Sequence, residues 1–199
     1  MKIFRMKINK AIKILMISEA IVGSAACIVS PVFAIFIVGS IKGATTETAG
    51  IALAIALIVK SVARIPLGYY LDKFKGEFDD YYSLITGFLL FALLQFLYVF
   101  AKLPFHVYIL QIIYGLAMAF VYTPWYGFFS RKLDKEHENY EWSIAAALSG
   151  FMGALASYLG GYIAQRHGFT PLFVSTGSMM LVGVFFIILL KKHLVRKQS

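Results

Sequence analysis

Charge is scarce in this sequence. Asp, Glu, Lys and Arg make up 15% of its 199 residues, against ~25% in soluble domains, while 60% are hydrophobic. A soluble domain of this size has too little polar surface to cover so much apolar side chain, which excludes that class. Long polar stretches are lacking as well, so no soluble domain is expected within these residues. The single cysteine, Cys27, rules out an internal disulfide and leaves the redox compartment unmarked. Acids are outnumbered by bases, 10 against 19, for a net charge of +9. In a soluble chain that balance would point to nucleic acid. Here a membrane explains it better, and no nucleic-acid partner is expected.

What is there is a series of apolar runs, each near the ~20 residues that cross a bilayer. They are Ile12–Val38, Thr48–Leu71, Tyr81–Ala101, Phe105–Phe129, Trp142–Gln165 and Thr170–Leu190. Short polar links separate them: Ser40–Glu47, Asp72–Asp80, Lys102–Pro104, Ser130–Glu141 and Arg166–Gly168. The expected fold is an all-α membrane protein of six transmembrane helices, forming one domain. The first run follows a basic arm and passes Ser24-Ala25-Ala26-Cys27, as a cleaved signal could. Glu19 interrupts its core, Ser24 stands where a lipidation site wants an aliphatic residue, and apolar sequence continues to Ile41. It is therefore expected to stay as a membrane helix. The basic tail after Leu190 has the look of a true C-terminus.

Six crossings put both termini on one side, and the bases say which. Fourteen of the nineteen fall on the face holding the N-terminal arm, Asp72–Asp80, Ser130–Glu141 and the C-terminal tail. They include Lys2, Arg5, Lys7, Lys10, Lys13, Lys75, Lys135, Arg196 and Lys197. The opposite face has Lys42, Lys102 and Arg166, one per loop. By the positive-inside rule the fourteen are cytoplasmic, which implies a multi-pass protein of the inner or plasma membrane with both termini inside.

The chain resembles itself at a fixed offset. Ser30-Pro31-Val32-Phe33-Ala34 is similar to Thr123-Pro124-Trp125-Tyr126-Gly127, both reading hydroxyl, Pro, apolar, aromatic, small. Leu67-Gly68-Tyr69-Tyr70 is similar to Leu159-Gly160-Gly161-Tyr162, and Gly76 and Gly168 follow at the same distance. Three markers agree on an offset of 92 or 93 residues. A shift of three helices inverts the second unit, so the expected units are residues 12–101 and 105–190, a three-plus-three inverted repeat.

The link after the second helix carries Gly68, Asp72 and Lys73, then Lys75-Gly76. This spacing resembles the loop motif between the second and third helices of the major facilitator superfamily, with the final Gly-basic pair inverted. Together with the nested repeat, the resemblance covers the chain as a single six-helix half of a usual member. It implies that Asp72 and Lys73 form a gating latch, the Asp facing a helix end of the other half. The fourth helix also resembles a family pattern of an Arg followed by Gln-Gly and small residues. Here it reads Gln111, Tyr114-Gly115, Ala117 and Ala119. Gln111 stands where the family has Arg, so that Arg's proton-coupling role is not carried over. Gly160-Gly161 lacks the preceding Gly-Pro pair of the family's antiporters.

Ionisable groups inside a bilayer are costly and mark functional positions. Lys60 lies about ten residues from the cytoplasmic end of its helix, roughly 15 Å at 1.5 Å per residue, beyond the reach of its stem. Arg64 follows on the same face, which also holds Ala56 and Gly68. Glu19 lies at the depth of Arg64 on a stripe with Gly23, Ala26 and Ser30. Two readings stand. In one, Glu19, Lys60 and Arg64 line a central cavity that is net positive and suits a small organic anion. In the other, Glu19 and Arg64 form a structural pair. Gln111, Tyr114, Tyr122 and Trp125 on the fourth helix supply stacking and hydrogen bonds to a solute, Trp125 having interfacial anchoring as its alternative. Gly150, Gly153, Ser157, Gly160 and Gly161 give the fifth helix a small-residue seam for close packing, within the chain or between subunits.

No nucleophile–base pair, phosphate loop or carboxylate dyad is present, and His106, His137, His167 and His193 have no partners at metal-ligand spacing. No enzyme activity, cofactor or metal is expected. The expected function is secondary-active transport of a small solute by alternating access, in a homodimer of six-helix halves within the lipid bilayer. Two rivals remain. One is the substrate-capture subunit of an energy-coupling-factor importer, and the other a non-transporting membrane scaffold or assembly factor.

Overall fold

The computed structural model describes residues 10–74, 77–134 and 136–193. The basic arm with Lys2, Arg5 and Lys7 therefore lies outside the described residues. So do Lys75-Gly76, Lys135, the tail with Arg196 and Lys197, and the side chain of His193. Among the described residues the chain forms seven α-helices and no strand: α1 (Lys10–Val29), α2 (Phe33–Ser40), α3 (Thr46–Phe74), α4 (Glu77–Tyr98), α5 (Pro104–Lys132), α6 (Glu138–His167) and α7 (Phe169–Leu190). α1 and α2 together make the first of six apolar spans, so the six expected crossings are present.

The spans outrun their apolar runs. α3 continues to Phe74, which places Asp72 and Lys73 in its last turn instead of in a loop. α4 begins at Glu77 with Glu77, Asp79 and Asp80 in its first turn, and α6 begins at Glu138. Apolar runs end where the hydrocarbon ends, but a helix goes on wherever its backbone bonds can. Acids at N-terminal turns also suit the helix dipole.

Three prolines, Pro31, Pro66 and Pro124, interrupt the backbone ladder within the spans, where the bilayer supplies no water to repair it, and Pro31 and Pro124 do so at equivalent places. Pro31 cannot donate to the carbonyl of Cys27, and the span tightens into a 3-10 turn, Ser30–Val32. Ser157 Oγ on α6 donates to the Cys27 carbonyl at 3.2 Å. Pro124 likewise frees the carbonyl of Phe120, and Ser83 Oγ on α4 donates to it at 2.9 Å. The defects at Pro31 and Pro124 are each repaired from a neighbouring span.

Packing follows an exchange rule. α1 packs on α6 and α7, α5 packs on α3 and α4, and α4 packs on α7. Swapping the first three spans with the last three leaves these pairings unchanged. Glycines set the closest approaches. Gly87 on α4 sits where a Cβ would meet Val121 and the Ala117 carbonyl of α5. Gly183 on α7 meets Val22 and the Ser18 carbonyl of α1 in the same way. The core has two layers: one around Leu15, Phe88, Phe128 and Ile187 towards the N-terminal side, the other around Phe36, Tyr98 and Phe173 on the opposite side.

α3 and α6 stand at the ends of this row of contacts and are the least covered. Within its most apolar stretch α3 is 11% buried and α6 22%, against 56% for α4. The fifth span's seam divides accordingly. Gly153 lies against Cys27, Ser157 bonds its carbonyl, and Gly160 abuts the Ile28 backbone, so these three form an intramolecular contact with α1. Gly150 and Gly161 have nothing within 4 Å of where a Cβ would stand.

A Cβ at Gly160 would overlap the Ile28 backbone, so Gly160→Ala should cost about 1–3 kcal/mol. Gly161→Ala, one residue on, should be neutral or stabilising by up to ~1 kcal/mol through helix propensity. Thermal midpoints in detergent check this. Equal effects at the two positions would mean that α6 does not approach α1 as described.

Candidate functional site

The intramembrane charges sit in the half of the bundle nearer the N-terminus. Glu19 on α1 is half-buried and accepts a hydrogen bond from Ser149 Oγ of α6. The Glu19–Arg64 pair allowed by sequence is not formed. At that depth α1 packs on α6, and α3 packs on α5, so the two side chains have different neighbours. The Arg64 guanidinium instead lies 5.5 Å from the ring centroid of Tyr126 on α5, a cation–π distance. Lys60 is half-buried one turn further in, beside the close α3–α5 contact where Gly115 meets Ala56. Among the described residues neither Lys60 nor Arg64 has a carboxylate partner.

A second group of polar residues lies nearer the opposite side. Gln111 and Tyr114 of α5 line a cavity of about 220 Å³ together with Ala26, Ser30 and Phe33 of the first span and Leu53 of α3. Its floor includes Gln95 and Tyr98 of α4, which sequence reading passed over. Gln95 does leave a signal, as a lone amide in the apolar run Leu89–Tyr98 of the third span. The stripe Glu19–Gly23–Ala26–Ser30 thus runs from the charged region towards this recess.

The other candidates divide. Tyr122 is half-buried, its ring 6.1 Å from Tyr126. Trp125 is 5% exposed, stacks on Phe129 at 4.8 Å and donates Nε1–H to the Leu15 carbonyl at 3.4 Å, a core position. Gly68 faces Thr123 at ordinary van der Waals distance, and Asp72 and Lys73 are exposed at the end of α3. Lys73 suits the negative end of its own helix, and Asp72 does not. Among the described residues no three His, Cys, Asp or Glu side chains gather as metal ligands would.

Sequence reading also missed two ion pairs, because it took residues 72–80 and 130–141 as loops. Asp80, 3% exposed at the start of α4, pairs with Arg131 at the end of α5. Glu77 pairs with Lys132 at 2.7 Å. Together they tie the two helix ends where the dipoles favour acid and base respectively.

Six apolar spans, two of them largely uncovered, with charge and a polar recess among them, define a polytopic helical membrane protein with solute-sized space inside it. The chain belongs to the Major Facilitator Superfamily, whose sequence profile matches residues 15–199. Comparison with curated proteins finds no match. Among solved structures the chain is similar to the POT family transporter PepTSo, with a TM-score of 0.74 and 16% identity, over 97% of this chain and 39% of that one. It is similar too to an auto-inhibited POT family peptide transporter, with a TM-score of 0.76 and 15% identity, over 96% of this chain and 39% of that one. At these identities the likeness is one of fold, and the chain spans about two-fifths of the length of the structures it matches.

Arg131→Met strands the buried Asp80 carboxylate and should cost about 2 kcal/mol, less than a fully buried pair because Arg131 is half exposed. Adding Asp80→Asn should recover most of that loss. Unfolding midpoints of the two singles and the double check it, and a single-variant loss no larger than that of Lys132→Met would refute it.

Proposed function

We propose that this chain is one six-helix half of a secondary-active transporter, and that a second copy supplies the other half around a two-fold axis along the membrane normal. Membership of the superfamily supports transport, and the observation that carries the half-transporter reading is that the poorly covered flank α3 holds the intramembrane cations Lys60 and Arg64. In alternating access two halves rock about a midplane site, and each half contributes one wall. The largely uncovered flanks α3 and α6, with α1 and α5 between them, supply such a wall. A closed dimer pairs that wall with its own copy. Each half is then an inverted repeat of residues 12–101 and 105–190, in keeping with the exchange-invariant packing.

Lys60 and Arg64, which have no carboxylate partner among the described residues, give the wall a positive character, and with Glu19 held by Ser149 they favour a small organic anion as solute. Gly68, Asp72 and Lys73 act as the gating latch. Asp72, poorly placed for its own helix end, gains from the positive end of a helix in the other copy. The basic faces put both termini in the cytoplasm of a cell with this protein in its inner or plasma membrane.

Native mass spectrometry of the protein in nanodiscs tests the assembly, and twice the 22.2 kDa chain mass is expected. A monomer would sink the homodimer, and a co-purifying ATPase would favour the substrate-capture subunit. In proteoliposomes, counterflow of small mono- and dicarboxylates should be lost in Lys60→Met while yield and mass are unchanged. Equal flux in the variant would remove Lys60 from the solute path, and no flux in either would favour the scaffold.

A further inference from the structure

Each of the two flanking spans carries an exposed apolar ridge that ends in a charge. On α3 the exposed residues Ile51, Ile58 and Ile65 recur every seven positions, and Glu47 stands one turn before the first. On α6 the exposed residues Phe151, Leu155, Tyr158 and Tyr162 recur every three or four, and Arg166 stands one turn after the last. Residues at those spacings share one face of a helix. α3 packs on α5 and α6 packs on α1, so both ridges point away from the bundle.

The charged ends of the two ridges lie at one level. Glu47 is in the first turn of α3 and Arg166 in the last turn of α6. Their near neighbours Ala49 and Ala164 both pack on the core layer around Phe36 and Phe173, which places both ends on the side away from the N-terminus. Both side chains are exposed, and among the described residues neither makes an ion pair. Each suits the dipole of its own helix. That accounts for the sign of each charge but not for its place in line with a ridge. Charge then decides which flank can meet which. Two α3 helices facing each other across a two-fold axis would set Glu47 against its own copy, and two α6 helices would do the same with Arg166. Setting α3 against α6 brings acid to base. On the opposite side the exposed Lys73 of α3 and Glu138 of α6 are complementary in the same way. Beside the ridges, Gly50, Gly150 and Gly161 have nothing within 4 Å of where a Cβ would stand, which leaves room for backbones to approach.

We infer that the α3 ridge docks on the α6 ridge of a second copy of this chain, with Glu47 of each copy paired to Arg166 of the other. The inference rests on the homodimer reading above and adds to it which helices meet and which residues select the pairing. A two-fold axis along the membrane normal makes the contact twice, once at each edge of the facing walls, so the assembly closes on itself. The ion pairs stand at the membrane surface, where they add little affinity but fix partner and register. Packing of the apolar ridges supplies the remainder.

Cross-linking of the full chain in nanodiscs tests this, in a Cys27→Ser background. With a short bismaleimide the double variant Glu47→Cys/Arg166→Cys should give covalent dimer, and either single variant should give none. In native mass spectrometry the charge reversals Glu47→Arg and Arg166→Glu should each raise the monomer fraction several-fold, and their combination should restore the dimer. Both positions are exposed at helix ends, so all variants should keep their helical circular dichroism. The ridge pairing is overturned, with the homodimer left standing, by a native dimer that gives no cross-link in the double variant or gives one in a single variant. Reversals that fail to rescue each other overturn it equally. A monomeric unmodified chain overturns both readings.

Discussion

In a bilayer every backbone N–H and carbonyl must find its partner inside the protein, and this one demand organises the chain. It explains why the structure is helical throughout its apolar spans, and it explains why two serines matter. Pro31 and Pro124 each break one backbone bond at equivalent positions of the repeated pattern. Ser157 and Ser83 then supply donors to the orphaned carbonyls of Cys27 and Phe120. The donors come from different neighbours, α6 in one case and α4 in the other. The same kind of defect is thus met from two different sides.

A second constraint is the absence of a hydrophobic force between helices in lipid, which leaves close packing to hold them. Gly87 and Gly183 admit valines of α5 and α1, and Gly115 and Gly160 bring backbones together at the α3–α5 and α1–α6 contacts. Gly87 and Gly183 respect the exchange of the first three spans with the last three. At the other two contacts the pairing of spans respects it, but the glycine sits on the inner span α5 in one and on the flanking span α6 in the other. The result leaves α3 and α6 on the rim of one face. An uncovered α-helical flank needs only lipid, so exposure alone does not make an interface. The intramembrane cations Lys60 and Arg64 on that flank give the face its functional interest.

The polar interior has two chemistries that occupy different depths. Towards the N-terminal side are Glu19 with Ser149, Arg64 over Tyr126, and Lys60. Towards the opposite side are amides and phenols without charge. The Glu19–Gly23–Ala26–Ser30 stripe connects them along one helix face.

Composition and hydropathy determined that this chain crosses a membrane six times as helices, because ~20-residue apolar runs have no other stable form in lipid. The spacing of Gly68, Asp72 and Lys73 and the offset between Pro31 and Pro124 made the family legible before any fold was known. Charge made Glu19, Lys60 and Arg64 conspicuous, since each is rare in a bilayer. Their partners were another matter. Arg64 met Tyr126 and Glu19 met Ser149 because which spans touch is set by packing across distant segments, and local sequence carries no record of it. Gln95 stood out as a lone amide in its apolar run, but neither it nor Tyr98 carried any record of a partner until the tertiary structure placed both with Gln111 around one recess. Helix ends, too, were decided by backbone bonding beyond the hydrocarbon, where hydropathy has nothing left to report.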